Sequence, residues 1–257
     1  MLELRNITKV YNPGTVTEQT LFRDFSLTVE EGQFVSIVGS NGSGKTSLLN
    51  IICGSIPVEA GEVLIDGKNI NKLKEYQRYA AMGRVYQNPA AGTCPGLTML
   101  ENLSLADNKG KRFGLRRGVN RQRRDYYRQQ LQSLGLGLED KLDVKMGALS
   151  GGQRQAVALL MATMTPLKFL ILDEHTAALD PKTAEIIMEL TDKVVREKKL
   201  TAMMVTHNLR YAVEYGDRLI MMNQGRVVMD KAGAEKTATS IDDILGVFNQ
   251  ISIECGN

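Results

Sequence analysis

Along this chain the spacing of apolar and polar positions changes character by region. Between residues 2 and 67 the segments LELRNITKVY, TLFRDFSLTV, QFVSIVG and GEVLIDG alternate or run apolar between Gly, Asn and Pro. That pattern predicts strands. Residues 98–106, 119–134 and 150–164 carry apolar side chains at three- and four-residue spacing, which predicts helices. Strand and helix then alternate over 169–173, 182–197, 201–206 and 208–213, the order of parallel βαβ units. DRLIMMNQGRVVMD predicts a hairpin turning on Asn-Gln-Gly. From Lys231 onward the pattern predicts a short loop, a helix near 240–248 and a loose end. No internal repeat or low-complexity linker interrupts this order, so the reading is one domain with insertions.

One apolar run ends unusually. Phe169 to Leu172 read as a strand buried on both faces, yet Asp173, Glu174 and His175 follow directly. In open α/β sheets ligands gather outside the carboxyl ends of the strands. Two readings are open at this point: an acidic surface turn, or a place where a metal or phosphate is handled.

Composition narrows the classes. Charged residues make up 24% of 257 residues and the net charge is +3, too balanced for bulk nucleic-acid binding. The apolar runs at 34–38, 48–52 and 157–161 are far shorter than the ~18 residues of a membrane span. MLELRNITKVY lacks the apolar core of a signal peptide, so the expectation is a cytoplasmic protein. Cys53, Cys94 and Cys255 are odd in number and widely spaced. They match neither a disulfide framework nor a zinc motif.

GSNGSGKTS, residues 39–47, fits G-x-x-x-x-G-K-[ST] between the strand QFVSIV and the helix KTSLLNIICG, the context the motif requires. Gly39, Gly42 and Gly44 permit positive φ, so the backbone N–H groups of Ser40, Asn41, Ser43 and their neighbours can turn in around phosphate oxygens. The following helix adds its positive N-terminal end. Lys45 reaches the terminal phosphates, Thr46 is a ligand for Mg²⁺, and Ser47 completes the stretch. With a phosphate loop in the chain, Asp173 becomes the carboxylate of the Mg²⁺ shell. Glu174 falls where a base orients the attacking water.

At this point the sequence resembles the nucleotide-binding subunit of ABC transporters over nearly its whole length. LSGGQRQ, residues 149–155, is similar to the family signature. Its Ser150, Gly151, Gly152 and Gln153 open a helix and offer a hydroxyl, bare backbone and a helix N-terminus to an anion. The resemblance implies that this anion is the γ-phosphate of ATP held by a second copy, so that the active unit is an ATP-sandwich dimer. It further implies that the Tyr11 ring stacks on adenine and that Gln87, in RVYQNP, touches Mg²⁺ and the attacking water. Asp180, in AALD, is implied at the dimer interface, and His207, in VTHN, as the histidine that senses the γ-phosphate. The implied cofactors are ATP and Mg²⁺, with Thr46, Gln87 and Asp173 toward the metal and Glu174, His207 and Gln87 toward catalysis.

The implied fold is α/β, a P-loop NTPase of ABC type. A RecA-like parallel-sheet core and antiparallel β subdomain would occupy about 1–88 and 166–232. An inserted helical subdomain would cover about 89–165, and a C-terminal tail about 233–257. His175 departs from the proline or alanine common in relatives, and local packing or a hydrogen bond is the role expected of it. DEHTAALDP and RQAVALLMATMTP resemble the bacterial uptake systems for tryptophan and tyrosine. Those systems pair this subunit with membrane permeases and an extracytoplasmic solute-binding protein. The implied function is therefore ATP hydrolysis that powers import of a small organic solute such as an amino acid, at the cytoplasmic face of the membrane and without a specific nucleic-acid partner. The alternatives are the ATPase of an exporter or lipoprotein-release complex, and a soluble ABC ATPase acting on nucleic acid or ribosomes. Residues 109–128 hold nine Lys/Arg against one acid, Asp125. Such a run is a solvated face, an attraction to anionic lipid or, ranked last for want of a recognisable reading motif, a contact to nucleic acid.

Overall fold

The computed structural model describes residues 1–111 and 118–254, with side chains up to residue 251. Arg116, Arg117 and Cys255 therefore lie outside the described residues. The chain divides into two compact units, Met1–Tyr79 with Lys199–Asn257, and Ala80–Lys198.

The first unit begins with β1 (Leu2–Tyr11) and β2 (Gln19–Val29), an antiparallel pair. β3 (Phe34–Gly39) is buried at every position, so it reads as a mainly apolar run, and the one polar side chain in it, Ser36, donates its hydroxyl to the Tyr215 carbonyl at 3.1 Å. It runs through the phosphate loop into α1 (Lys45–Cys53). β4 (Ala60–Ile65) and β5 (Lys68–Asn69) complete an antiparallel sheet of order β2-β1-β4-β5. Leu2, Leu4, Ile7, Phe22 and Val63 are buried in it, and the pairing of β1 with β2 shifts register between Leu4 and Ile7. A short helix, α2 (Glu75–Arg78), was not legible in the sequence. Its Arg78 is buried and donates to the carbonyls of Ile51 and Ile52, satisfying the open end of α1.

The second unit opens with β6 (Met82–Val85), which pairs in parallel with β7 (Phe169–Asp173). β6 escaped the pattern analysis because Gly83 and Arg84 interrupt its apolar run. Gly83 is required by packing: a Cβ there would stand 2.7 Å from the Ala162 carbonyl oxygen. Between the two strands come α3 (Met99–Asp107), α4 (Arg124–Gln132) and α5 (Gly151–Thr163), and α6 (Pro181–Glu197) follows β7. α4 is shorter than the expected 119–134, since its first turn, Arg121–Arg123, is a 3-10 helix. The basic run is largely partnered where it is described. Arg123 pairs with Asp107, Arg124 with Asp143, and Arg128 with Asp125 and Asp140. The Lys109 ammonium turns inward to the Met82 carbonyl, and burial pushes its pKa down to about 8.

The chain returns to the first unit with β8 (Ala202–Val205), α7 (Leu209–Glu214), β9 (Arg218–Asn223) and β10 (Arg226–Ala232). β3 lies between β8 and β9, parallel to both, and β10 closes the expected hairpin. The tail differs from the expected loop, short helix and loose end. α8 (Gly233–Ala238) forms where a loop was expected, and α9 runs over Ile241–Glu254. Both are held by tertiary contacts. Lys236 of α8 is buried and reaches the Val213 carbonyl. α9 lays Ile244, Val247, Phe248 and Ile251 on a core that includes Val38, Ala212, Leu219 and Met221.

Candidate functional site

In the first unit the phosphate loop grows out of the buried end of β3. Gly39 has φ +153°, and a Cβ on it would meet the Met222 carbonyl oxygen at 2.2 Å. Gly44, at φ +103°, is the residue before α1, and a Cβ on it would stand 3.0 Å from Phe22 Cζ. The Lys45 ammonium donates to the carbonyls of Gly39 at 2.7 Å and Ser40 at 2.9 Å, so it sits over the loop it belongs to. Ser43 is buried and its carbonyl accepts from Gly225 N–H at 3.0 Å, tying the loop to the β9–β10 turn. Asn41 and Thr46 are exposed, and Ser40 lies 3.4 Å from Asn223 Oδ1. Tyr11, 36 residues from Ser47 in sequence, donates its hydroxyl to Ser47 Oγ at 3.0 Å. The adenine-stacking candidate is thereby brought beside the phosphate loop.

His207 is exposed just past β8. Thr206 N–H donates to the Ile37 carbonyl at 3.1 Å, which extends the pairing with β3 to the residue before His207. Asn208 then caps α7 by accepting from Arg210 and Tyr211 N–H groups. The switch candidate is thus clamped between a strand end and a helix cap.

In the second unit β7 delivers Asp173 and Glu174 at its carboxyl end, both half-buried. Glu174 adopts φ +48°, a left-handed conformation that is uncommon for a non-glycine residue. Ala177 N–H closes the turn on the Glu174 carbonyl at 2.9 Å. Asp180 caps α6, accepting from Thr183 N–H at 3.1 Å, and the bonds from Thr183 hold its carboxyl below the usual carboxylate range. The cap defines the loop's end, and the carboxylate remains exposed.

His175 is 2% exposed and its Nε2 lies 3.0 Å from Thr191 Oγ1, whose hydroxyl donates to the Ile187 carbonyl. Burial pushes its pKa down to about 4, so it is neutral at pH 7. The ring packs locally and hydrogen-bonds, as expected of it, and pins the turn after β7 to α6.

Ser150 caps α5 in a reciprocal box with Gln153. Gln153 N–H donates to Ser150 Oγ, and Ser150 N–H to Gln153 Oε1, each at 3.2 Å. Gly151 is exposed, whereas Gly152 is buried. Gln87 is exposed beyond β6, next to Asn88, which caps a 3-10 turn. Two residues that the sequence did not single out join this set. Gln155 of the signature helix, fully buried, donates from Nε2 to the Tyr86 carbonyl at 3.0 Å, one residue before Gln87. Arg84 donates to Asp173 Oδ2 at 2.6 Å. The available signal for Arg84 was a cation inside an otherwise apolar strand.

The donors assigned to a divalent cation are a hydroxyl, an amide oxygen and a carboxylate, on Thr46, Gln87 and Asp173. All are hard oxygen ligands, the set that suits Mg²⁺ shared with nucleotide phosphates. Among the described residues no group of three His, Cys, Asp or Glu forms a cage. One protein carboxylate supplemented by phosphate oxygens is how Mg²⁺ is commonly bound, and the residues present fit it. Also among the described residues, no helix is long and apolar enough to cross a membrane.

Comparison with known proteins agrees with this geometry. The ABC transporter family matches residues 22–177. The chain is 47% identical over 248 residues to the tyrosine transport ATP-binding protein of Clostridioides difficile (strain R20291), covering 96% of this chain and 98% of that one. It is 32% identical to the phosphonates import ATP-binding protein PhnC 1 of Ruegeria sp. (strain TM1040), with 100% and 99% covered. Among solved structures it is similar to the dimeric post-hydrolysis state of the ATP-binding cassette MJ0796 bound to ADP and Pi. That match has a TM-score of 0.76 and 34% identity over 90% of this chain and 98% of that one. The ADP conformation of the cassette MJ1267 matches at TM-score 0.79 and 26% identity over 100% and 99%. The fold is that of an ABC ATPase, a P-loop NTPase with parallel strands in its main sheet and a separate antiparallel sheet. By these matches and by the motifs placed above, the chain belongs to the ABC transporter family, as an ATP-binding subunit.

Proposed function

We propose that this chain hydrolyses Mg-ATP to power uptake of tyrosine or a related amino acid through membrane permeases fed by an extracytoplasmic binding protein. The observation that carries the ATPase part is the pair of carboxylates at the end of β7, Asp173 and Glu174, with Glu174 held at φ +48°. The substrate class is supported by the 47% identity to a tyrosine transport protein across 96% of the chain. The phosphate loop with Lys45 and Thr46, the Tyr11 ring and His207 are assigned to the nucleotide, Asp173 and Gln87 to the metal, Glu174 to the attacking water, and Ser150, Gly151, Gly152, Gln153 and Asp180 to the nucleotide of a second copy.

Mg²⁺ bound by Thr46, Gln87 and Asp173 would neutralise charge developing on the phosphates. The chain's own groups do the rest. Backbone N–H groups and Lys45 cradle the phosphates, Glu174 accepts the proton of the attacking water, and His207 hydrogen-bonds the terminal phosphate. The helical segment 89–165 and the core segments 1–88 and 166–232 are retained as functional subdomains in this reading, with 233–257 as a tail. The chain is placed at the cytoplasmic face of the membrane. The test is reconstitution of the subunit with its permeases in liposomes. Tyrosine-loaded binding protein should stimulate ATP turnover several-fold over unloaded binding protein, and tyrosine should accumulate inside. Equal turnover with tyrosine-loaded and unloaded protein would reject this substrate.

A further inference from the structure

Arg84 is the one charged residue within β6, and its side chain is only 7% exposed. A cation taken this far from water requires a fixed partner. Strand register supplies it. Arg84 lies opposite Ile171 in the parallel β6–β7 pair, and every second residue along a strand shares a face. Tyr86 on β6's extension and Asp173 at the end of β7 therefore sit on the same side as Arg84. The guanidinium lies 4.7 Å from the centre of the Tyr86 ring and donates to Asp173 Oδ2 at 2.6 Å, and the Asp173 side chain is 16% exposed. Stacking fixes the plane of the fork while the charge-assisted bond fixes the carboxylate. The bond engages Asp173 Oδ2.

We propose that Arg84 is a positioning residue, a built-in counter-cation for Asp173 that sets how strongly nucleotide binding depends on a divalent metal. The inference rests on the reading of Asp173 as a metal carboxylate. A bare carboxylate repels nucleotide phosphates when no metal is present and attracts the metal strongly when it is. A guanidinium held on Oδ2 weakens both effects, because it cancels part of the carboxylate's charge at a short, poorly hydrated distance. Metal-free nucleotide consequently binds better than it would to an unpaired Asp173, and the metal adds less. The arrangement also keeps Asp173 in place between turnovers, since its partner belongs to the adjoining strand of the same unit and does not leave with the product.

The measurement is the ratio of dissociation constants for a fluorescent ATP analogue in EDTA and in Mg²⁺, with the full-length chain. Arg84→Met removes charge and donors, Arg84→Gln removes charge but keeps a donor, and Arg84→Lys keeps the charge. The ratio should rise at least about threefold in Arg84→Met and Arg84→Gln, and stay within about twofold of wild type in Arg84→Lys. Circular dichroism verifies folding, and the Gln variant stands if the Met variant does not fold. An unchanged or lowered ratio in Arg84→Gln overturns the proposal, as does a wild-type ratio in Arg84→Gln beside a raised one in Arg84→Met, which would assign the effect to hydrogen bonding and not to charge. Asp173→Asn separates the two layers of the argument. If it lowers the ratio, Asp173 faces the metal and the Arg84 variants alone decide. If it leaves the ratio unchanged, the assignment of Asp173 fails and this inference falls with it.

Discussion

At the scale of single residues, the two histidines illustrate how environment and not residue type assigns a role. His207 stands exposed between a strand end and a helix cap, whereas His175 is buried against Thr191. His207→Ala should therefore lose most ATP turnover, while His175→Ala should keep at least about a third of it per folded molecule, with a stability loss on the order of 2 kcal/mol from the cavity. Steady-state turnover normalised to folded protein, with denaturant melts beside it, checks both. His175 also predicts a pH dependence of stability. Its folded pKa is about 4 against an ordinary 6.5. Between those values the unfolded chain takes up a proton that the folded chain excludes, so stability is full above 6.5 and is lost on acidification toward 4. His175→Gln should flatten that part of the curve, measured as unfolding free energy at pH 7 and pH 5. Glu174→Gln should bind ATP and hydrolyse it at least ~10²-fold more slowly, since the phosphate cradle is spared and the water-orienting base is lost. Near-normal turnover would remove Glu174 from the catalytic role.

Elements impose a different kind of constraint, seen where the signature helix α5 meets α6, the helix after the β7 turn. A Cβ on Gly152 of α5 would stand 2.1 Å from Thr183 Cγ2 of α6. The clash is with a short side chain whose own backbone N–H is engaged by Asp180, so it has little freedom to move aside. Gly152→Ala should destabilise the protein by roughly 1–3 kcal/mol through overpacking. Thr183→Ser removes the offending methyl and should recover most of that loss in the double variant. Additive effects in a double-mutant cycle would refute direct contact. The cycle also tests function, because Gly152 belongs to the signature and Thr183 holds the Asp180 cap. Helix α4 shows the limit of periodic reasoning. Its basic face, expected as solvated or lipid-facing, has Arg123, Arg124 and Arg128 already paired with carboxylates.

For the whole molecule, family membership implies a dimer, and the MJ0796 structure bound to ADP and Pi is dimeric. Glu174→Gln should accumulate as a dimer in Mg-ATP and revert to monomer in EDTA, read by size-exclusion chromatography with light scattering. The monomer persisting at saturating Mg-ATP would count against the sandwich. Any attraction of the 109–128 run to anionic lipid should be weaker than nine basic residues suggest, because several of them already have acidic partners. Asp143→Asn removes the partner of Arg124 and should strengthen liposome binding by the assembled complex, a gain that salt near several hundred millimolar should erase. Unchanged binding by that variant would show that intramolecular pairing does not limit the attraction.

What the sequence alone determined was whatever is written in neighbouring residues. The phosphate loop is a contiguous stretch between a buried strand and a helix. The carboxylates of 173–174 follow an apolar run directly, and the signature opens its own helix with its own cap. Each is local because the backbone N–H groups, glycines and capping side chains that make the site are adjacent in the chain. Only the tertiary structure decided which distant face each element meets. Arg84 finds Asp173 across 89 positions through strand register, Gln155 finds the Tyr86 carbonyl across 69, and His175 finds Thr191 on the next helix. A strand as short as β6, with Gly and Arg inside, and a helix such as α8, held by a buried Lys236, carry no periodic signal. Period encodes that a face is buried, whereas the partner of that face is chosen by packing and by the need of each buried polar group for a bond.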